Sequence, residues 1–367
     1  MTNGKLCSGP FNISVANEAK PLSLTFDIST MKSFVTELFE KSGFSESQSN
    51  TTADVLIWAD ARGNGSHGIL RIPTYMRWAE TGIINRSAIA ERISKKGAVI
   101  TIAADRVIGP SALADAARQS IELVHEHSAV WVFVRGHSHA GSIGYYARQI
   151  SEAGFLSVVM TSSRPLMAYH GTRNTAVSTN PIAVAIPGSF LLDMSPAAIS
   201  KGKIDIARAN DKSLPDGVVC DAEGKITTDP NQAKTILPLG GPKGAGLSLG
   251  IECLTSLTVA NPLIQSALNK ESLRSDFQQN SVLMAIEPDA ILPGQDLPTA
   301  IDELSSSLKS QPRADGFEEI LMPGERGDKE AARRQVEGIT VSENTWQKII
   351  EIARNLNVDV PVNRGNK

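Results

Sequence analysis

The chain has 367 residues, enough for two lobes, and its 41% hydrophobic and 20% charged residues are typical of a globular protein. Its 36 basic and 39 acidic residues give a formal net charge of −3, so it lacks the basic excess that binds nucleic acid or anionic membranes. The three cysteines are odd in number and far apart, which excludes a disulfide framework and is typical of a reducing cytoplasm. No apolar run approaches the roughly 20 residues that span a bilayer. We therefore expect a cytoplasmic protein without nucleic-acid or membrane partners.

The first part of the chain is predicted to be helical. Residues 1–24 lack the apolar core of a signal peptide and are interpreted as a leader. Apolar residues at helical spacing predict a helix over 29–41. A second helix is predicted over 45–61, because its opening Ser-x-x-Gln is a capping box. After a glycine-rich loop we expect a third helix from about Gly68.

The middle of the chain changes from helical to strand patterns. Short runs rich in β-branched residues predict strands at 98–103, 130–134, 156–161, 182–186, 190–194 and 281–286. Further helices are expected at 145–153, from about 246, at 328–335 and at 343–356. This order predicts an α/β protein with a helical lobe built from both chain ends.

One glycine-rich segment imitates a nucleotide-binding fingerprint. Residues 63–68 fit G-x-G-x-x-G, which binds a pyrophosphate when it follows a strand and opens a helix. Here a predicted helix precedes it, and this context argues against a Rossmann loop. A second segment, 240–246, is not a P-loop. Its glycines and Lys243 at a helix start could still bind a phosphate or carboxylate, and the alternative is a solvated lysine.

The most informative segment runs from Ser66 to Tyr75. Arg71 and Tyr75 are predicted to lie one helical turn apart. A guanidinium gives a carboxylate two parallel hydrogen bonds, and the tyrosine could add a third. His67, at the helix start, is expected to be neutral and could exchange a proton with the bound acid. The alternative is an exposed histidine beside a solvated arginine.

Further histidines follow the predicted strand 130–134. His137 and His139 lie in a glycine-rich loop at its carboxyl end, where α/β sheets collect ligands. A second His-x-His, at 125–127, lies in a predicted helix tail. The chain has no H-E-x-x-H or H-x-x-E-H motif, so we predict no metal site.

Six segments, in order, resemble the malate/L-lactate dehydrogenase family, a non-Rossmann group that includes sulfolactate and ureidoglycolate dehydrogenases and cyclic-imine reductases. The similarity covers about residues 25–357, and the segments are 61–75, 138–141, 178–183, 192–195, 240–244 and 323–326. The resemblance implies an NAD- or NADP-dependent enzyme, usually a homodimer. It also implies a non-Rossmann three-layer fold with a mixed, largely antiparallel sheet.

The resemblance implies roles for individual residues. Ser66, His67 and His139 match proton-transfer residues; which imidazole acts is open, and its place after a strand favours His139. The substrate contacts are matched by Arg71, Tyr75 and Thr179. The cofactor contacts are matched by Ser138, His139, Ser163, Asp193, Met194, Ser195, Lys243, Gly324, Glu325 and Arg326.

The expected reaction interconverts a small 2-hydroxy acid, similar to malate, lactate or sulfolactate, and its 2-oxo acid. Residues 25–125 with 310–367 are assigned to a helical substrate and dimerisation lobe, and 126–309 to the cofactor-binding lobe. One alternative is NADPH-dependent reduction of a cyclic or open 2-imino acid. A second, from a different class, is a metal-dependent hydrolase that uses the histidine clusters. A serine hydrolase is disfavoured because the chain lacks a G-x-S-x-G nucleophile elbow.

Two basic residues bear on the choice of substrate and cofactor. Lys203 stands where the cyclic-imine reductases carry an aspartate and the hydroxy-acid dehydrogenases a lysine, which favours 2-hydroxy acids. Arg164 stands where some members carry an acid, which favours the phosphorylated ribose of NADP. One arginine does not decide between the two cofactors.

Overall fold

The computed structural model describes residues 23–209, 211–270 and 277–364; most of the predicted leader, 1–24, lies outside them. The strands are β1 Ser23–Phe26, β2 Glu91–Lys96, β3 Val99–Ala103, β4 Ala129–His137, β5 Leu156–Ser162, β6 Met167–Ala168, β7 Thr175–Val177, β8 Ile182–Ile186, β9 Phe190–Met194, β10 Val219–Cys220, β11 Thr235–Ile236, β12 Gln279–Ile286 and β13 Ile339–Ser342. The helices are α1 Ile28–Lys41, α2 Glu46–Ala61, α3 Ile72–Glu80, α4 Gly109–His127, α5 Gly144–Glu152, α6 Lys201–Ala209, α7 Pro242–Glu252, α8 Leu263–Leu268, α9 Leu297–Lys309, α10 Glu325–Glu337 and α11 Glu343–Leu356.

A seven-stranded sheet in the order β2-β3-β4-β12-β5-β8-β9 forms the centre of the molecule. Only its β3–β4 pair is parallel, so the predicted mixed, largely antiparallel sheet is confirmed. The late strand β12 lies between β4 and β5, where Val282 faces Phe133 on one side and Met160 on the other. Such an insertion depends on pairing between distant segments, which local patterns do not encode.

The main core lies where helices cover this sheet. Along β4, Val130, Val132 and Val134 are fully buried in this core, and the alternating apolar residues on the other face pack against a smaller apolar cluster that includes part of α7. The apolar face of α4, including Leu113 and Ala117, is buried in the same cluster. α4 thereby reaches from the core to the carboxyl end of β4.

Both chain ends join one helical part, as predicted. β1 pairs with β13, with Phe26 opposite Ile339. Trp346 of α11 lies 4.3 Å from the Phe26 ring and 5.6 Å from the Phe34 ring, measured between ring centroids. The β1–β13 ribbon was not predicted, because its two short strands pair across almost the whole chain.

A second, smaller sheet has the order β10-β11-β6-β7 and its own apolar cluster, which includes Met167, Val177, Val219 and Ile236. Helix α6 was not predicted, and its residue Ile204 belongs to this cluster. A Cβ atom at Gly202 would lie 3.0 Å from the Ser66 Cβ, so α6 approaches the Ser66–His67 segment.

Local signals placed several helix boundaries correctly and two helix starts incorrectly. The capping box is confirmed, with Gln48 N–H donating to the Ser45 hydroxyl and Ser45 N–H donating to the Gln48 side chain, both at 3.3 Å. The third helix does not begin at Gly68. Two 3-10 turns, Gly65–His67 and Ile69–Arg71, precede α3. Helix α7 begins at Pro242 rather than near 246, since proline is favourable in a first turn.

Among the residues that the structure describes, no helix is both long and apolar enough to cross a membrane.

Candidate active site

A buried carboxylate, Asp60, anchors the segment that replaces the start of the predicted third helix. Asp60 accepts a hydrogen bond from the Ile69 backbone N–H at 2.8 Å. A Cβ atom at Gly68 would lie 2.1 Å from this carboxyl group, so glycine is needed for the close approach. Burial raises the pKa of Asp60 from 3.8 to about 7. Asp60 was not predicted from the sequence, although Gly68 could have indicated that another group approaches the backbone closely here.

His67 contacts the protein through one ring nitrogen. Its Nδ1 lies 2.9 Å from the Ser66 hydroxyl and 3.3 Å from the Asn64 side-chain oxygen. The Ser66 hydroxyl donates to the same Asn64 oxygen at 3.2 Å. Desolvation and the positive charge of Arg71 lower the pKa of His67 to about 4, so its imidazole is neutral at pH 7. Asn64 was not predicted, because only the folded loop turns it toward His67.

His139 lies on the opposite side of this site, in the loop after β4. Its Nδ1 lies 2.7 Å from the Tyr75 hydroxyl and accepts a hydrogen bond from Gly141 N–H at 3.2 Å. Desolvation, with the charge of Arg71, lowers the pKa of His139 well below its usual value. The His67 and His139 rings are stacked, with centroids 5.6 Å apart. Two imidazoles predicted from separate segments therefore lie side by side.

Arg71 and Tyr75 both lie at this imidazole pair. Arg71 donates from Nε to the Ser66 carbonyl oxygen at 2.7 Å. In the described part of the chain, its Nη1 and Nη2 have no hydrogen-bonding partner. Tyr75 is fully buried and its hydroxyl contacts His139. Arg71 thus has a planar pair of donors left for an anion.

The other predicted histidines are not part of this pair. His137 is the last residue of β4 rather than a loop residue, and it is fully buried. Its Nδ1 donates to the Ser138 carbonyl oxygen at 2.6 Å, and its Nε2 lies 2.8 Å from the Ser281 hydroxyl. His125 contacts the Phe155 ring at the far end of α4. Among the described residues, no group of three or more His, Cys, Asp or Glu side chains could hold a metal ion.

Ser138 helps to fix the His139 loop. It is buried, and its hydroxyl accepts a hydrogen bond from Gly109 N–H at 2.9 Å. A Cβ atom at Gly109 would lie 2.2 Å from the His139 carbonyl oxygen. The start of α4 therefore packs directly against the backbone that carries His139.

A hydroxyl cluster lies at the end of β5. The Ser163 and Ser178 hydroxyl oxygens are 2.5 Å apart, and Ser163 N–H donates to the Asn180 side chain at 3.2 Å. Asn180 in turn donates to the Ser248 carbonyl oxygen of α7 at 2.9 Å. Thr179 lies between these hydrogen-bonded neighbours. Lys243 is exposed in the first turn of the same helix, α7.

Asp193, in β9, connects the sheet to the loop that carries His67. One of its carboxylate oxygens accepts from Gly144 N–H at 3.0 Å and from the Ser142 hydroxyl at 3.2 Å. The Asn64 amide nitrogen donates to the Ser142 oxygen at 3.3 Å. Met194 follows in the strand, opposite Ile182, and the Ser195 hydroxyl accepts from the backbone N–H two residues later.

The loop at Gly324 lies against the same strand. Gly324 has a φ of 97°, and a Cβ atom there would lie 3.0 Å from Leu191 backbone oxygen. Arg62 donates to the Gly324 carbonyl oxygen at 2.9 Å and pairs with Asp328. Glu325 pairs with Lys309, whereas Arg326 is exposed. The predicted late cofactor loop is therefore adjacent to β9.

Comparisons with known proteins extend these observations. A sequence profile of the malate/L-lactate dehydrogenase family matches residues 26–350. The chain is 31% identical to L-sulfolactate dehydrogenase of Methanocaldococcus jannaschii over 336 residues, which are 90% of this chain and 96% of that protein. A solved structure of sulfolactate dehydrogenase from that organism has a TM-score of 0.82 at 30% identity, covering 92% and 98% of the two chains. A delta1-piperideine-2-carboxylate reductase from Pseudomonas syringae has a TM-score of 0.80 at 25% identity, covering 90% and 99%.

The protein belongs to the class of non-Rossmann dehydrogenases. Its sheet is mixed, its G-x-G-x-x-G segment follows a helix instead of a strand, and its relatives are dehydrogenases. The chain belongs to the malate/L-lactate dehydrogenase family. It is an oxidoreductase that acts on the CH–OH group of hydroxy acids, and dehydrogenases of this family use a nicotinamide cofactor. The resemblance identified from the six sequence segments is confirmed.

Proposed function

We propose that the protein interconverts a small 2-hydroxy acid of the malate, lactate or sulfolactate kind and its 2-oxo acid. The observation that carries this proposal is the position of Arg71 beside two neutral imidazoles. Its Nη1 and Nη2 are without a partner among the described residues and can hold a carboxylate through two parallel hydrogen bonds. A carboxylate held there would bring the neighbouring C2 hydroxyl or carbonyl within reach of His67 or His139.

The proposed roles follow from these contacts. Arg71 orients the carboxylate, and Thr179 contacts the rest of the substrate. His67 or His139 exchanges the proton of the substrate oxygen, since both imidazoles are neutral at pH 7 and their rings are stacked side by side. Ser66 supports proton transfer through its contact with His67 Nδ1.

The residues assigned to the cofactor fit an anionic dinucleotide. Lys243 supplies an exposed positive charge in the first turn of α7, where the helix dipole also favours an anion such as a phosphate. Polar side chains suited to contacts with the cofactor's ribose and amide groups are those of Ser138, Ser163, Asp193, Ser195, Glu325 and Arg326. Met194 and Gly324 add apolar and backbone contacts. When bound, the nicotinamide ring supplies or takes up the hydride of the reaction.

Arg164 bears on the choice between NAD and NADP. The Arg164 guanidinium lies 5.1 Å from the Phe277 ring centroid, and stacking on an aromatic ring suits a planar cation that binds a phosphate. We expect NADP to be accepted at least as well as NAD, and the ratio of kcat/KM for NADPH and NADH measures this. Exchange of Arg164 for Leu should lower that ratio.

The test of the reaction is a substrate panel read by nicotinamide absorbance. Pyruvate, oxaloacetate and sulfopyruvate are each incubated with NADH and with NADPH. We expect oxidation of the cofactor with at least one of them, and no loss of rate with a strong chelator. Absence of any absorbance change with all three acids would contradict the proposed 2-oxo acid substrates.

The second candidate function is reduction of cyclic imino acids, which the likeness to the delta1-piperideine-2-carboxylate reductase favours. Lys203 is exposed on α6, next to Gly202, which packs against Ser66. A positive charge there disfavours a charged imidazole and suits proton acceptance from a hydroxyl group. We predict that the wild type prefers 2-oxo acids and that Lys203→Asp shifts the preference toward five- and six-membered cyclic imino acids. Faster reduction of the imino acids by wild type would reverse this assignment.

We also propose a homodimer located in the cytoplasm. The division into a substrate and dimerisation lobe, 25–125 with 310–367, and a cofactor-binding lobe, 126–309, belongs to the same proposal. Light scattering of the purified chain tests the oligomer, with about twice 39.2 kDa expected.

A further inference from the structure

Each active-site imidazole contacts the protein through Nδ1, and the partners of that nitrogen determine its tautomer. A neutral imidazole has one N–H donor and one acceptor nitrogen. A backbone N–H group only donates, and an amide or carboxylate oxygen only accepts. Within the described ranges, no hydrogen bond reaches Nε2 of His67 or His139. The tautomers can therefore be derived from the Nδ1 contacts alone.

His139 Nδ1 faces donors. The Gly141 backbone N–H points at it from 3.2 Å, and this group cannot reverse its direction. With Nδ1 as the acceptor, the Tyr75 hydroxyl at 2.7 Å also donates to it. The proton of the neutral ring is then on Nε2.

His67 Nδ1 faces an acceptor, and a chain of hydrogen bonds fixes this polarity. The Asp193 carboxylate only accepts, so the Ser142 hydroxyl donates to it at 3.2 Å. The Ser142 oxygen then accepts from the Asn64 amide nitrogen at 3.3 Å. This contact turns the Asn64 oxygen toward His67 Nδ1, at 3.3 Å, and toward the Ser66 hydroxyl. The Ser66 hydroxyl donates to this oxygen at 3.2 Å, so at 2.9 Å from His67 Nδ1 it accepts. The proton of neutral His67 is then on Nδ1, and Nε2 has a lone pair.

We propose that Tyr75 and Asn64 are positioning residues that hold the two imidazoles in opposite tautomers, with His139 protonated on Nε2 and His67 protonated on Nδ1. The Gly141 N–H and the Asp193 carboxylate set the direction at each end. Tyr75 then acts through His139, which differs from the substrate contact that the family resemblance implies.

This inference rests on the proposed function and assigns different work to the two histidines. During oxidation of a 2-hydroxy acid, the lone pair of His67 Nε2 accepts the hydroxyl proton. The O–H bond breaks as the N–H bond forms, and a bound nicotinamide cofactor would take up the hydride of the C2–H bond. The His67 imidazolium keeps its Nδ1 hydrogen bond to the loop. His139 keeps its proton and donates an Nε2 hydrogen bond to the substrate oxygen, as a neutral imidazole can. The assignment moves proton exchange from His139, favoured by its sequence position, to His67.

The test is a spectroscopic measurement on the full chain without substrate. Two-bond proton–nitrogen correlation spectra of ¹⁵N-histidine protein distinguish protonated from unprotonated ring nitrogens. His67→Gln and His139→Gln assign the two sets of signals by their disappearance. At pH 7 we expect an unprotonated Nδ1 in His139 and an unprotonated Nε2 in His67.

Two variants test the positioning residues. Tyr75→Phe removes one donor, so the His139 signals should move toward a mixture of tautomers and turnover should fall about tenfold. Tyr145→Phe is the matched control, since its half-buried ring packs on Trp58 away from both imidazoles. Asn64→Leu should likewise change the His67 signals, whereas Asn231→Leu, on an exposed loop, should not.

A protonated Nδ1 in His139, or an unprotonated Nδ1 in His67, would overturn the inference in the wild-type spectrum alone, even if a variant failed to fold. Unchanged imidazole spectra in well-folded Tyr75→Phe and Asn64→Leu would overturn the roles of these residues. The spectra need no substrate, so their outcome is separate from the substrate panel. If the spectra show the expected tautomers but no 2-oxo acid is reduced, the proposed function is wrong and the tautomer assignment stands.

Discussion

Arg71 is fixed at one end and free at the other. Its Nε donates to the Ser66 carbonyl oxygen at 2.7 Å, and this contact orients the plane of the guanidinium. A lysine would keep the positive charge but lose both the anchor and the paired donors. The identity of the side chain, and not only its charge, therefore matters at this position.

We predict that Arg71→Lys lowers kcat/KM for the oxo acid roughly 10- to 150-fold, or about 1.5–3 kcal/mol of transition-state binding, with cofactor affinity near wild type. Steady-state kinetics and fluorescence titration of the cofactor measure the two effects. Arg77→Lys is the control, because Arg77 is exposed on α3, the helix that directly follows Arg71. Unaltered kinetics in Arg71→Lys would remove Arg71 from the site.

Asp60 couples this site to pH through stability. Its pKa is 3.8 in a model peptide and about 7 in the folded protein. Between these two values the unfolded chain has released a proton that the folded chain still binds, so stability falls as pH rises from about 4 to about 7. The total loss is on the order of 4 kcal/mol, at 1.36 kcal/mol for each pH unit.

We predict that Asp60→Asn removes this slope, because the amide retains an acceptor for Ile69 N–H and does not titrate. Urea unfolding at pH 4.5 and pH 7.5 should show the variant gaining stability relative to wild type at the higher pH. Asp302→Asn, on the exposed face of α9, should show no such gain. An equal pH dependence in Asp60→Asn and wild type would contradict the raised pKa.

At the scale of elements, α4 acts as a rigid support for the His139 loop. Its first residue, Gly109, donates to the Ser138 hydroxyl and approaches the His139 carbonyl oxygen so closely that a Cβ atom would lie 2.2 Å from it. The other end of α4 is distant from the site. One helix thus connects the apolar core to one of the two imidazoles.

We predict that Gly109→Ala destabilises the protein by about 1–3 kcal/mol, because the new methyl group overpacks a backbone contact, and that turnover falls with it. Gly250→Ala, where nothing lies within 4 Å of the new Cβ atom in α7, should instead stabilise the protein by roughly 0.5–1 kcal/mol. Urea midpoints and kcat compare the two. A Gly109→Ala variant with normal stability and turnover would show that the backbone at His139 can move to accommodate the methyl group.

At the scale of the molecule, the two chain ends close the helical part around Trp346. This side chain is 4% exposed and contacts both Phe26 and Phe34. The ribbon of β1 and β13 adds backbone pairing between the same ends. The stability of the N-terminal helices therefore depends on residues more than three hundred positions later.

We predict that Trp346→Ala costs about 3–5 kcal/mol of unfolding free energy, since a buried aromatic side chain is replaced by a cavity. Val336→Ala, at a side chain that is 75% exposed, should stay within about 0.5 kcal/mol of wild type. Equilibrium unfolding in urea, followed by circular dichroism, measures both. A small effect of Trp346→Ala would mean that the chain ends contribute little to folding.

The sequence by itself determined features that depend on neighbouring residues. The capping box at Ser45, the strand at 130–134 and the helix 343–356 are encoded by local hydrogen bonds and by runs or periods of apolar residues. The six family segments identified the class of enzyme for a similar reason, since each is a short run of residues. His67, His139 and Arg71 were found in this way.

Only the tertiary structure decided which of these residues meet and how. His67 and His139 are stacked because the start of α4 and the Asp60 anchor bring two loops together. Asn64 and Tyr75 acquire their contacts with the imidazoles from that packing, and β12 enters the sheet between strands far earlier in the chain. The physical reason is that contacts between distant segments depend on the shape and burial of the whole core, which no local pattern of residues contains.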